Sequence, residues 1–273
     1  MDNVKTLAEI THNGRIKTFP NGEREIMIAS KAIFRESGWE ARKEVVQTRI
    51  IDGSGHESAD RARRRARSMV KEYCMANDDL NYFVTLTLSP DVIDRYDIKA
   101  IVKSVNVWLD NRVRRNGLKY VLVPELHKDG AIHFHGLVND CLGLVDSGTL
   151  TGGSLKKPRK PKSASERKRL LASGAQTVYN ILDWKYGFST VIELYGERRA
   201  AVSYVCKYIS KTQNKIGGRW YYSGGKLKRA AVSYFDTEYD ISAAAGGSSW
   251  VVPELNCEFT LFVEGIGEEH ERS

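Results

Sequence analysis

The residues of this chain best equipped for chemistry gather in a few short stretches. One is His133-Phe134-His135. Along a strand, side chains at i and i+2 share a face, so both imidazoles project together and Phe134 enters the opposite face. Two converging neutral imidazoles are a common start to a divalent metal site, although two strand histidines can equally face solvent. Just upstream, YVLVPEL (120–126) and AIHFHGLV (131–138) flank Lys128-Asp129-Gly130 and predict a hairpin. If the loop has three residues and Gly130 is left-handed, Glu125 lies across from His133 on the same face. Glu125, His133 and His135 then form a ligand set suited to Mg²⁺ or Mn²⁺. A two-residue Asp-Gly turn would shift the register by one and turn Glu125 away. His127 shares Glu125's face and reads as a surface residue.

A second stretch is Tyr204-Val-Cys-Lys207-Tyr208-Ile-Ser-Lys211. On a helix, positions 204, 207, 208 and 211 fall in one narrow stripe, with Val202, Val205 and Ile209 on the opposite, buried one. Two phenols and two ammonium groups are therefore expected on the exposed face. A phenol with a pKa near 10 is a poor nucleophile, and adjacent cations favour the phenolate. The same lysines can neutralise charge as a phosphate is attacked. An amphipathic helix with ordinary surface lysines would carry the same residues. The third stretch, Phe83-Val84-Thr85-Leu86-Thr87-Leu88 before Pro90, shows by itself a buried strand with two hydroxyls on one face.

The elements that must hold these residues follow from periodicity. A basic helix is predicted over 58–76 with Ser58 as N-cap, a strand over 82–88, and a helix from Asp97 to about Asn116 with Ile98, Ile101, Val102, Val105, Trp108 and Leu109 on its apolar face. Residues 146–175, rich in Ser, Gly, Lys and Pro, predict a mobile basic loop. FSTVIELY (188–195) predicts a strand leading into a helix over about 198–213. Strand signals recur in REIMIAS, VVQTRII, RWYYSGG, AAVSYFD and CEFTLFVEG. Mixed elements, short hairpins and no GxGxxG fingerprint favour an α+β fold with an antiparallel sheet over a doubly wound parallel one.

Composition narrows the partners. The 273 residues carry a net charge of +8, with 41% hydrophobic and 10% aromatic residues, as a folded domain requires. The charge is concentrated: residues 156–169 hold +7 and residues 61–67 hold +5, which leaves a mildly acidic remainder. Arg61, Arg63, Arg64, Arg65 and Arg67, with Lys156, Lys157, Arg159, Lys160 and Lys162, are the candidate phosphate contacts. The acidic end, Glu268, Glu269 and Glu271, argues against DNA contact there. The four cysteines are scattered with no CxxC pair, so neither a disulfide framework nor a zinc ribbon is expected. With no signal-peptide core, no long apolar run and no membrane partner in view, a cytoplasmic protein is expected. No phosphate-loop motif of a helicase is present.

Taken in order, the three stretches resemble the motif series of the HUH endonuclease superfamily of rolling-circle replication initiators. F-V-T-L-T-L at 83–88 is similar to the first motif, and His133-Phe134-His135 to the His-hydrophobe-His metal motif. Tyr204-x-x-Lys207 and Tyr208-x-x-Lys211 are similar to overlapping copies of the nucleophile motif. The paired tyrosines most resemble initiators of small single-stranded DNA phages and some bacterial plasmids, in a bacterial host cytoplasm. Glu125 is similar to the upstream acidic ligand of related initiators. The resemblance covers roughly residues 82–211. It implies a five-stranded antiparallel sheet with flanking helices, the histidines on a central strand, the tyrosines on a facing helix, and Mg²⁺ or Mn²⁺ as cofactor. It further implies nicking of single-stranded DNA at a replication origin through a 5′-phosphotyrosine, with host helicase and polymerase as partners. The domain organisation expected on this basis is an N-terminal segment over 1–57, a nicking core over 58–215, and a β-rich extension over 216–273 packed on the core. A conjugative relaxase or a tyrosine transposase shares the chemistry. A water-using nuclease and a non-catalytic DNA-binding protein are readings of other kinds.

Overall fold

The computed structural model describes residues 11–35, 55–194, 196, 198–211, 214–238, 247–252 and 255–264. In chain order its elements are β1 (Thr11–His12), β2 (Gly14–Thr18), β3 (Arg24–Ala29), β4 (Phe34–Arg35), α1 (Gly55–Ala76), β5 (Tyr82–Leu88), α2 (Ile98–Asn116), β6 (Tyr120–Leu126), β7 (Ile132–Val138) and β8 (Leu144–Gly152). They continue as α3 (Ala164–Ala172), β9 (Ala175–Ile181), β10 (Gly187–Glu193), α4 (Arg198–Lys211), β11 (Tyr222–Gly224), β12 (Ala231–Phe235), β13 (Ser248–Val252) and β14 (Cys257–Glu264). The class is α+β, and the paired strands are antiparallel.

The chain divides into two units, Gly55–Lys228 and the pair of segments Met1–Ser54 and Arg229–Ser273. In the first, seven strands run in the order β11-β6-β7-β5-β10-β9-β8. The expected five strands are thus exceeded. β8 adds beyond β9, and the short β11 pairs on the free edge of β6 through Tyr222 opposite Leu122. The histidine strand β7 is interior, between β6 and β5. In the second unit, β12-β2-β3-β14-β13 form a five-stranded sheet. This corrects the expected organisation. The C-terminal strands hydrogen-bond to N-terminal strands, β14 to β3 and β12 to β2, whereas 216–228 belong with the first unit.

One face of the seven-stranded sheet is buried under α2. The alternation of β5 and β7 sends Val84, Leu86, Leu88, Ile132 and Phe134 into a core with Ile101, Val105, Trp108 and Leu109 of α2. Burial of each such side chain is worth about 1.5–3 kcal/mol. The helix starts where Asp97 accepts the Ala100 N–H at 3.0 Å and stops at Gly117, whose φ of 71° a β-carbon would disfavour. Trp108 and Trp184 meet edge to face at 5.1 Å, and Trp184 donates to the Thr87 carbonyl at 3.2 Å, tying the core to the strand beside the histidines.

Three local expectations are corrected. Helix α1 begins at Gly55, so Ser58 lies within its first turn and not at the cap. Residues 146–175 are not a mobile loop, because β8, α3 and β9 occupy most of them. The missed signal was Ser163-x-x-Glu166, a helix-start pattern in which Ser163 accepts the Glu166 N–H at 3.1 Å and Glu166 accepts the Lys162 N–H at 2.5 Å. Leu150, Leu170 and Ala175 then close a small core of their own. VVQTRII and the acidic end lie outside the described residues. All four cysteines are free.

Candidate active site

The second face of the sheet carries the reactive side chains, and strand register sets their positions. His127 N–H donates to the Ala131 carbonyl at 2.8 Å and Gly130 N–H to the His127 carbonyl at 2.9 Å, which closes a three-residue loop with Gly130 at φ 85°. Glu125 consequently pairs with His133, and His133 with Thr87 on the far side. One step along, His135 stands between Val123 and Thr85. Two rows therefore run across three strands, Glu125–His133–Thr87 and Val123–His135–Thr85. Thr85 Oγ1 lies 3.1 Å from His135 Nδ1 and Thr87 Oγ1 lies 3.5 Å from His133 Nδ1. The two hydroxyls, visible in the sequence only as polar groups on one face, thus orient the two rings. Glu125 reaches diagonally, with Oε2 3.1 Å from His135 Nε2. His127 is exposed, 3.3 Å from Asp129, with its ring stacked 5.1 Å from that of His133.

Helix α4 lies over this cluster, packed against α1 and against β6 and β7. Val202, Val205, Cys206 and Ile209 are buried, as the apolar stripe required. Its first turn is held by Arg198, a residue the sequence did not mark. The guanidinium donates to the carbonyls of Asn77, Asp78 and Leu80 and to Asn81 Oδ1. These acceptors follow the C-terminus of α1, where unpaired carbonyls favour a cation.

The two tyrosines have different environments. Tyr208 is 7% exposed and stacks on His135, with centroids 4.1 Å apart and planes 4° from parallel. Tyr204 is 50% exposed and meets Phe83 edge to face at 5.4 Å. The Tyr208 hydroxyl donates to the Tyr204 hydroxyl at 2.8 Å. Lys211 Nζ lies 3.4 Å from Glu125 Oε1 and 5.3 Å from the centre of the Tyr208 ring. Lys207 is exposed on the same helix. The expectation that both phenols face solvent is therefore corrected for Tyr208. Its pKa also moves against the expected direction. Burial raises it first, then the hydrogen bond to Tyr204, and both outweigh the nearby lysine.

The imidazoles are held neutral. Burial pulls His135 down to about 4, partly opposed by the Glu125 carboxylate, and burial with the nearby His127 lowers His133. Neutral rings with Nδ1 engaged by hydroxyls and a carboxylate at Nε2 make a donor set that fits a hard or borderline divalent ion. Among the described residues, no three His, Cys, Asp or Glu side chains converge tightly enough to hold an ion as they stand. Glu125 occupies the Nε2 side of His135 instead.

The basic residues differ in their settings. Arg61, Arg64, Arg65 and Arg67 of α1 are exposed, while Arg63 pairs with Asp60 at 2.7 Å. Lys156, Lys157, Lys160 and Lys162 are exposed or partly so on the connection between β8 and α3. Arg159 instead pairs with Glu166 at 2.7 Å, and its backbone bridges Leu150 in both directions. It is a structural residue of that segment.

Residues 81–213, just under half of the chain, match the model of a replication-associated protein family of the ORF2 type. The matched stretch contains both threonines, Glu125, both histidines and both tyrosines, and it supports a role in initiating replication. No curated protein and no solved structure matches the chain. Among the described residues no helix is long and apolar enough to cross a membrane.

The His135 environment has a consequence for stability. Its folded pKa lies below its unfolded value, so between about 6.5 and about 4 the unfolded chain binds more protons. Stability contributed by the neutral ring is present above that window and lost as pH falls through it. The urea midpoint of the native protein is expected to fall more steeply from pH 6.5 to 4 than that of His135→Gln. Parallel curves would contradict the assignment.

Proposed function

We propose that this chain initiates rolling-circle replication by nicking single-stranded DNA with a tyrosine that stays joined to the 5′ end. The observation that carries this reading is the stack of Tyr208 on His135 with its hydroxyl directed at Tyr204. Two phenols thereby share one face with a carboxylate and two imidazoles, a combination that neither a simple DNA-binding surface nor a water-using nuclease requires. The family match over 81–213 supports the replication context.

Tyr204 is the first nucleophile in this reading. It is the accessible phenol, and its oxygen accepts a hydrogen bond that favours the phenolate. Tyr208 is buried and spends its proton on that bond. Tyr204 releases its proton to solvent, its oxygen bonds to phosphorus, and the bond from phosphorus to the 3′ oxygen breaks. The 3′ oxygen takes up a proton and becomes the hydroxyl that a host polymerase extends. The reverse attack rejoins the strand with no external energy, because the phosphotyrosine bond keeps that of the broken one. Glu125, His133 and His135 would hold one Mg²⁺ or Mn²⁺, which when bound supplies positive charge to the scissile phosphate. Thr85 and Thr87 can accept from Nδ1–H or donate to bare Nδ1, so the hydroxyls serve either imidazole tautomer. Lys207 and Lys211 neutralise charge beside the phosphate, and the exposed arginines of α1 and lysines 156, 157, 160 and 162 contact the DNA backbone. Strand separation falls to a host helicase. Tyr208 makes the second cut, once Tyr204 is occupied and no longer accepts its proton.

Denaturing electrophoresis with labelled single strands pooled from the replicon that encodes the protein tests this. A shift that survives denaturation is expected with Mn²⁺ and not with EDTA. Tyr204→Phe should lower it about a hundredfold or more, and Tyr204→Phe/Tyr208→Phe should abolish it. Cleavage without a covalent shift would mean that water is the nucleophile. Thr85→Val should weaken Mn²⁺ binding about tenfold to a hundredfold by calorimetry. Undiminished affinity would remove the threonine from the site.

A further inference from the structure

Helix α4 covers the β6 and β7 part of the reactive face, and beyond Thr85 and Thr87 the sheet continues into β10. Phe188 pairs with Thr87 and Thr190 with Thr85, so both project on the same face as the histidines. The intervening Ser189 and Val191 are buried on the other side. Phe188 is 74% exposed, the most exposed large hydrophobic side chain among the described residues. A phenyl ring left in water on an interior strand contributes nothing to the core.

Its placement is fixed from below. Gly187, with φ 151°, brings the β10 backbone so close to β5 that a β-carbon there would fall 2.4 Å from the Thr87 carbonyl oxygen. The same carbonyl accepts from Trp184. Phe188 therefore stands on a rigid strand, next to short hydroxyl side chains, in the row Glu125–His133–Thr87–Phe188. At about 4.8 Å per strand its backbone lies ~10 Å from that of His133. That is about three nucleotide steps at duplex spacing and fewer in an extended strand.

We propose that Phe188 is a stacking platform for a base of the bound single strand, within a few nucleotides of the phosphate held at the tyrosines. The inference rests on the single-stranded DNA reading given above. A flat ring beside a phosphate-handling site, in a chain of net charge +8, suits a base, because every base offers an aromatic face and the neighbouring backbone supplies the charge. A second protein would instead need a wider apolar surface, and the neighbours of Phe188 across and along the strands on this face are Thr87 and Thr190.

The test compares binding of (dT)20 with that of a 20-unit abasic deoxyribose-phosphate strand, in EDTA, by fluorescence anisotropy. The native protein is expected to prefer (dT)20 by about tenfold. Phe188→Ala should lose that preference while keeping its affinity for the abasic strand, and Phe188→Trp should restore it. Equal binding of both strands by the native protein, or an undiminished preference in Phe188→Ala, would overturn the platform. Circular dichroism of Phe188→Ala checks that the exposed position leaves the fold intact. The readout needs no nick. Absence of a covalent adduct in the gel assay would count against the nicking reading and not against the platform.

Discussion

A single turn sets the geometry on which the rest of the site depends. With three residues between β6 and β7 and Gly130 left-handed, Glu125, His133 and Thr87 align across three strands, and His135 aligns with Thr85. Because side chains alternate, a slip of one residue would send Glu125 to the core face and separate it from the imidazoles. The core then makes the register costly to change. Phe134 and Ile132 are fully buried on the opposite face, and a slip would expose both.

Upon that face the helix is placed by a different kind of contact. Arg198 fastens the start of α4 to the carbonyls that end α1, and the apolar stripe of α4 packs inward. Rotation of α4 is thereby limited, which is what allows Tyr208 to lie flat on His135 and aim its hydroxyl at Tyr204. Burial has two effects here. It holds His135 neutral, as a ligand must be, and it makes Tyr208 a weak acid that donates a hydrogen bond and leaves the exposed Tyr204 to react.

Much of this was legible in the sequence because it depends on short-range periodicity. Alternation placed His133 and His135 on one face and Phe134 on the other, and the turn residues gave the register of Glu125. Helical spacing brought Tyr204, Tyr208 and Lys211 to the site. What escaped depends on contacts distant in sequence. That Tyr208 is buried while Tyr204 is not follows from the sheet beneath them and not from the helix. Thr85 and Thr87 acquire a role only when β5 pairs with β7, and Arg198 only when α4 meets the end of α1. The segment 146–175 was misread because its charge and its Gly, Ser and Pro content masked a helix start at Ser163 and two strands. Likewise, pairing of β14 with β3 joins residues more than 220 positions apart, a distance over which local pattern carries no information.

The claim that most needs measurement is the unequal status of the two tyrosines. Trypsin cuts after Arg199, Lys207 and Lys211, so the two phenols fall in separate peptides, 200–207 and 208–211. The covalent complex formed with the pooled single strands and Mn²⁺ would be digested with nuclease and trypsin and its peptides sequenced by mass spectrometry. A nucleotide carried on Tyr204 within 200–207 is the expected result. A nucleotide carried on Tyr208 after a single turnover would contradict the division of roles that burial and the hydrogen bond between them imply.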